Sequence, residues 1–148
     1  MAKTQRSRSS ATKAQNRSAR ARTTVKRAAP KLPKAVATAV RAARDKKALN
    51  VVVLDLRNAG GFTDYFVICT ANNARQITAI ADSVRNTLKS ELDERPALTE
   101  GVDRSEWLLL DYFNFVVHIF SRECRAFYGL ERLWGNAERH EFLEESHP

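Results

Sequence analysis

Val36, Ala39, Val40 and Ala43 recur at the i, i+3, i+4, i+7 spacing of one helical stripe, which predicts a helix between Pro33 and Leu49. Pro33 suits its start, because the first turn of a helix has no use for the amide that proline lacks. The period then changes. Val51-Val52-Val53-Leu54-Asp55-Leu56 is β-branched and nearly continuous in apolar character, the pattern of a strand covered on both faces, and Asn58 to Gly61 supply a turn. Tyr65 to Thr70 repeats that signature, and the short glycine-bearing connection favours a hairpin over a helical crossover. Asn73 and Gln76 resemble a capping box, opening a helix to about Leu92 that buries Ile77, Ile80, Ala81, Val84 and Leu88. Asp93 to Asp103 reads as irregular. Trp107 to Asp111 and Phe115 to Phe120 are two further strands joined tightly through Tyr112 to Asn114. A last helical stretch from Arg122 directs Phe127, Leu130, Leu133 and Trp134 to the core and breaks near Gly129 and Gly135. The order predicts an α/β domain with a mixed sheet of four to five strands flanked by helices.

Charge divides the 148 residues unevenly. Residues 1–34 hold eleven Lys or Arg and no acid, leaving fourteen basic against seventeen acidic residues in the rest, so the net charge of +8 conceals an acidic body. Residues 1–34 carry too few large apolar side chains to offset ordering entropy and read as a disordered basic arm. Arg6, Arg8, Arg17, Arg20, Arg22, Lys26 and Arg27 are its candidate RNA contacts, since phosphate is the natural counterion for such a segment. A transit peptide is the alternative reading, but alanine supplies nearly all the apolar content. Residues 138–148 read as an acidic tail, with the folded domain over 35–137.

No apolar run approaches the ~18 residues of a membrane span, and the N-terminus lacks the apolar core of a secretory signal. Cys69 and Cys124 stand alone, without a second Cys or a His at metal-ligand spacing, and read as buried reduced thiols. Of three histidines, only His118 lies in the folded body, sharing a strand face with Val116 and Phe120, where a hydrogen-bonded structural role outweighs a catalytic one. Gly60-Gly61 is not followed by the Lys-Ser or Lys-Thr of a phosphate loop. Asp55 and Asp64 could meet only across a hairpin, so a Mg²⁺-dependent nucleotidyl-transfer site is a minor rival. No cofactor or metal is implied. What remains is a concentration of large and polar groups, Glu100, Trp107, Asp111, Tyr112, Phe113 and Asn114, where aromatics at a hairpin tip suit docking and the acids, with Glu106, favour a basic partner.

These residues also carry a resemblance. Asp45-Lys46-Lys47-Ala48, Thr63 to Thr70, Arg75-Gln76, Ala79 to Asp82, Glu100-Gly101, Trp107 and Leu110-Asp111-Tyr112 follow one another in order. Val116 to Phe120, Arg125 to Tyr128 and Leu130 to Trp134 complete the series. Over residues 35–137 the chain resembles the ribosomal silencing factor family, also called RsfS, YbeB or Iojap-like. The resemblance implies a nucleotidyltransferase-like α/β fold without the catalytic carboxylate pair, and a nonenzymatic role. Such proteins bind the large ribosomal subunit through ribosomal protein number fourteen and sterically block the small subunit, lowering translation when nutrients are scarce. A large-subunit assembly role without repression is the alternative. The docking surface maps onto Trp107, Asp111 and Tyr112, with Glu100 and the hairpin residues Phe113 and Asn114 as secondary contacts. A cytoplasmic location is expected, or an organelle matrix if the arm is a transit segment, and a homodimer of the free protein stays open. Phe113-Asn114 and Ala71 depart from the family pattern, which has Gly-Asp and Gly there.

Overall fold

The computed structural model of the chain describes residues 31–101 and 106–142. The seven proposed RNA contacts of the arm, and the disorder expected of residues 1–30, lie outside the described residues.

The first helix, α1 (Lys34–Asp45), buries Val36, Ala39, Val40 and Ala43 as the stripe requires. Pro33 is its cap rather than its first helical residue, and its carbonyl accepts from the Ala37 amide at 3.0 Å. Strand β1 (Leu49–Asp55) pairs antiparallel with β2 (Tyr65–Thr70), giving the hairpin that the short connection predicted. Gly60, at φ +83°, provides the left-handed residue of that turn. Helix α2 (Ala74–Leu92) starts where the capping signal falls: Asn73 Oδ1 accepts from the Gln76 amide at 2.8 Å. The Gln76 side chain reaches back one residue further than in a standard capping box, accepting from the Asn72 amide at 2.6 Å. Its amide group also donates to the Lys46 and Lys47 carbonyls, tying the start of α2 to the end of α1.

After α2 come β3 (Leu98–Glu100), β4 (Trp107–Asp111) and β5 (Phe115–Phe120), then the short helices α3 (Arg122–Tyr128) and α4 (Leu130–Leu133), and finally β6 (Glu138–Phe142). The described residues form a six-stranded sheet in the order β3-β4-β5-β2-β1-β6, in which only β2 and β5 run parallel. The sheet is therefore mixed, as expected, but has one or two more strands. Both additions are edge strands in segments that read otherwise: β3 within an irregular stretch, and β6 at the head of the supposed acidic tail.

Alternation along the strands sorts side chains to two faces. Val51, Val53, Val67, Cys69, Leu108, Leu110, Val117 and Ile119 pack under α1 and α2. Val52, Leu54, Phe66, Ile68, Val116 and Phe120 point the other way, against Leu130 and Trp134. Each fully buried Leu or Ile contributes roughly 1.5–3 kcal/mol through removal from water, so the helix-covered layer carries most of the stability. Among the described residues the second face has only α3 and α4 above it, neither of which buries a residue completely. Of the four apolar residues expected to turn inward there, Leu130 and Trp134 do, whereas Phe127 and Leu133 are 78% and 71% exposed.

Candidate functional site

The thinly covered face gathers most of the residues singled out in the sequence. Cross-strand partners share a face, so the pairings Glu100 with Leu109, Trp107 with Phe120, and Leu109 with His118 place Glu100 and Trp107 on the same side as His118. Asp111 pairs with Val116 and belongs there too. Trp107 is half-buried. Its indole Nε1 donates to His118 Nδ1 at 3.2 Å, and its ring lies 4.8 Å from that of Phe120 and 4.7 Å from that of Tyr128. The hydrogen bond anticipated for His118 is therefore present. Burial lowers its pKa to about 3, so it stays neutral, while Nε2 is buried without a partner among the described residues.

Ring contacts run across the whole face. Phe62 meets Phe66 edge-on, Phe66 meets His118 at 4.5 Å, His118 adjoins Trp107, Trp107 adjoins Tyr128, and Tyr128 meets Phe127. The two ends of this run, Phe62 and Phe127, are almost fully exposed, and Tyr128 is half exposed. Phe62, Phe127, Tyr128 and Leu133 escaped the sequence reading. The helical pattern gave Phe127 and Leu133 to the core and assigned Phe62 and Tyr128 no place.

Tyr112 does not join this surface. Continuing the alternation of Leu108 and Leu110, it enters the helix-covered core, where its ring stacks on Phe115 at 4.8 Å and burial pushes its hydroxyl up to about 12. Phe113 and Asn114 are exposed at the tip. Phe113 has φ +76°, held by its amide donating to Asp111 Oδ1 at 2.8 Å and by Thr63 Oγ1 donating to its carbonyl at 2.8 Å. A left-handed residue there accounts for the glycine of the family pattern. The Asp111 carboxylate consequently secures the turn as well as lining the face.

Of the two carboxylates considered for metal chemistry, Asp55 is otherwise engaged and Asp64 is exposed. Both oxygens of Asp55 accept from Arg57, at 2.9 and 2.7 Å, and that guanidinium holds its pKa below the usual carboxylate value. Among the described residues no group of three His, Cys, Asp or Glu could hold a metal ion. Cys69 is wholly buried, which pushes its thiol up to about 12, and Cys124 is half-buried. No helix among the described residues is long and apolar enough to cross a membrane. Under the thinly covered face, α3 and α4 are locked by Arg125. It forms a bidentate pair with Glu131, at 3.0 and 2.8 Å, and donates to the Asn50 carbonyl at 2.8 Å and Thr70 Oγ1 at 2.9 Å. The hydrogen bond from Arg125 holds the Glu131 carboxyl below its ordinary range.

Comparison with known proteins agrees with this architecture. Residues 29–148 match the family described as ribosomal silencing factor during starvation. The ribosomal silencing factor RsfS of Halalkalibacterium halodurans is 39% identical over 99 residues, which is 67% of this chain and 84% of that protein. A mouse protein named mitochondrial assembly of ribosomal large subunit protein 1 is 31% identical over 62% of this chain and 41% of its own length. A crystal structure of a Chromobacterium violaceum protein superposes with a TM-score of 0.67 at 28% identity, covering 72% of this chain and 88% of that one. By its match over residues 29–148, its identity to curated relatives and its shared fold, the chain belongs to the ribosomal silencing factor family.

Proposed function

We propose that the protein is a translational repressor that docks on the large ribosomal subunit through ribosomal protein number fourteen and keeps the small subunit from joining by occupying its place. The observation that carries this reading is the run of rings from Phe62 to Phe127 across a sheet face that α3 and α4 leave partly open. Aromatic anchors supply most of the binding energy of a protein interface, and a rim of Glu100 and Asp111 selects a basic partner. Trp107 is the central anchor. Phe113 and Asn114 extend the contact at the tip, and Tyr112 supports them from the core. The protein acts by binding rather than by catalysis, in the cytoplasm, with Arg6, Arg8, Arg17, Arg20, Arg22, Lys26 and Arg27 of the arm gripping ribosomal RNA. A second copy of the chain can cover the same aromatic face in the free protein, giving a homodimer that competes with docking.

The test is a subunit-joining assay with purified subunits. Addition of the protein should leave large subunits free in proportion to occupancy, and undiminished joining at saturating protein would refute repression. The name of the mouse relative favours one second reading, large-subunit assembly without repression, with an organelle location. Comigration with large subunits together with normal joining would select it. Comigration with small subunits alone would refute both.

A further inference from the structure

Beside the aromatic run, on the other flank of α3, lies a cavity of about 540 Å³ that the proposed docking does not use. Its wall carries four arginines, Arg122, Arg125, Arg132 and Arg139, against one carboxylate, Glu131. Arg125 and Arg139 share that carboxylate, so two guanidinium groups are left over. Arg122 donates to the neutral Asn72 Oδ1 at 2.8 Å, and the Arg132 guanidinium makes no hydrogen bond or ion pair among the described residues. Because Arg139 is also paired with Glu141, the four arginines keep two net positive charges, in a body that is acidic as a whole, which a bound anion would neutralise.

The surroundings are shaped for those arginines. The register of β1 shifts between Leu49 and Val52, and Asn50 sits at φ +50°, which delivers its carbonyl to Arg125. Bulges of this kind often re-aim groups beside functional sites. At Gly129, φ +56°, a Cβ would stand 2.4 Å from the Arg132 guanidinium, so the glycine makes room for that side chain. Planar guanidinium forks match the oxygens of phosphate, and the volume falls within the range of small-ligand sites, roughly 300–1,000 Å³.

We propose that this cavity binds a phosphate group, carried either by a free nucleotide or by an RNA backbone. Arg122 and Arg132 make the direct contacts, and Arg125 is the fixed floor, its fork already committed to Glu131. The site is independent of the docking proposed above. Full-length protein labelled with ¹⁵N, titrated with ADP in one arm and a short oligouridylate in the other, tests it. One or both should shift the Gly129 amide and the Arg132 Nε signals. Loss of charge-assisted bonds in Arg122→Ala/Arg132→Ala should weaken that binding about tenfold or more. Glu141→Gln frees the partly exposed Arg139 and should tighten it. ADP responding alone identifies a nucleotide pocket, and RNA responding alone identifies a backbone contact. No shift in either arm, or equal affinity in the double variant, overturns the proposal.

Discussion

Replacing Arg125 by methionine keeps the length of the side chain and removes the charge that stitches α3 and α4 to the sheet. Four hydrogen bonds disappear, to Glu131 twice, to the Asn50 carbonyl and to Thr70. The pair is only 12% and 19% exposed, so solvent screens it little and Glu131 would keep a poorly solvated charge. Removing one partner of a buried pair costs about 3–5 kcal/mol, and the lower end applies because Arg139 stands 3.3 Å from Glu131 and compensates in part. Arg125→Met should therefore lose about 3 kcal/mol in urea unfolding. The double variant Arg125→Met/Glu131→Leu leaves no orphaned charge and should lose about 2 kcal/mol or less, well short of the sum of the single variants. Hydrogen exchange in α3 and α4 should accelerate in the single variant, and affinity for the large subunit should fall with it, since these helices present Phe127 and Tyr128. A loss under about 1 kcal/mol, or strict additivity in the double variant, would refute the idea of a buried lock.

Trp107→Ala should weaken large-subunit binding by about 2 kcal/mol or more, and Glu100→Ala by less, because a central aromatic outweighs a rim charge. Circular dichroism must first show both folded, and equal affinity of folded Trp107→Ala and wild type would remove Trp107 from the interface. Phe113→Gly relieves left-handed strain of about 1–2 kcal/mol but adds chain entropy and gives up a small buried area, so stability should change by less than about 1 kcal/mol. Subunit affinity should nonetheless drop, and retention of full affinity would exclude the tip from docking. His118 has a folded pKa of about 3 and ordinarily titrates near 6.5, so the unfolded chain takes up the proton first as pH falls. Its contribution is intact above about pH 6.5 and fades toward pH 3, with a slope of up to about 1.4 kcal/mol per pH unit that His118→Phe should abolish in urea titrations. If about five arm charges reach phosphates, log affinity for the large subunit should fall with log salt at a slope of roughly −3.5 to −4.5, and deletion of residues 1–30, which spares the Pro33 cap of α1, should flatten it. Parallel lines for the two forms would retire the RNA-binding arm.

Elements whose residues are decided by burial could be read directly in the sequence. Helices α1 and α2 showed their buried stripes, and β1, β2, β4 and β5 showed unbroken apolar runs, because each is covered on at least one side by the rest of the body. Strand β6, Glu-Arg-His-Glu-Phe, has no such run: as an edge strand it is shaped by backbone pairing to β1, which leaves no mark on side-chain polarity. With only three residues after Pro96, β3 is too short for alternation to register. The residues proposed for docking divide on the same principle. Trp107, Asp111 and Glu100 were recognisable as large or charged groups around strand ends, but Tyr112 was taken for a tip residue although Leu108 and Leu110 already fixed which way it points. Phe127 and Leu133 failed because a short helix over an incomplete layer has apolar residues on both sides, and periodicity cannot say which side meets the sheet.

The two outermost strands also determine how another chain can approach. A sheet edge exposes a row of unpaired amides and carbonyls that can accept an extra strand. Here one edge is β3, three residues long, and the other is β6, with Glu138, Arg139 and Glu141 along it. Neither offers a long uncharged ladder, so strand addition is a poor route in for another chain. The same reasoning gives the terminal segment a protective task. Chain cleavage before Glu138 would strip the cover from β1, whose Val51-Val52-Val53-Leu54 run is apolar, uncharged and rich in β-branched residues, and would turn a monomer-compatible edge into a seed for sheet-to-sheet aggregation.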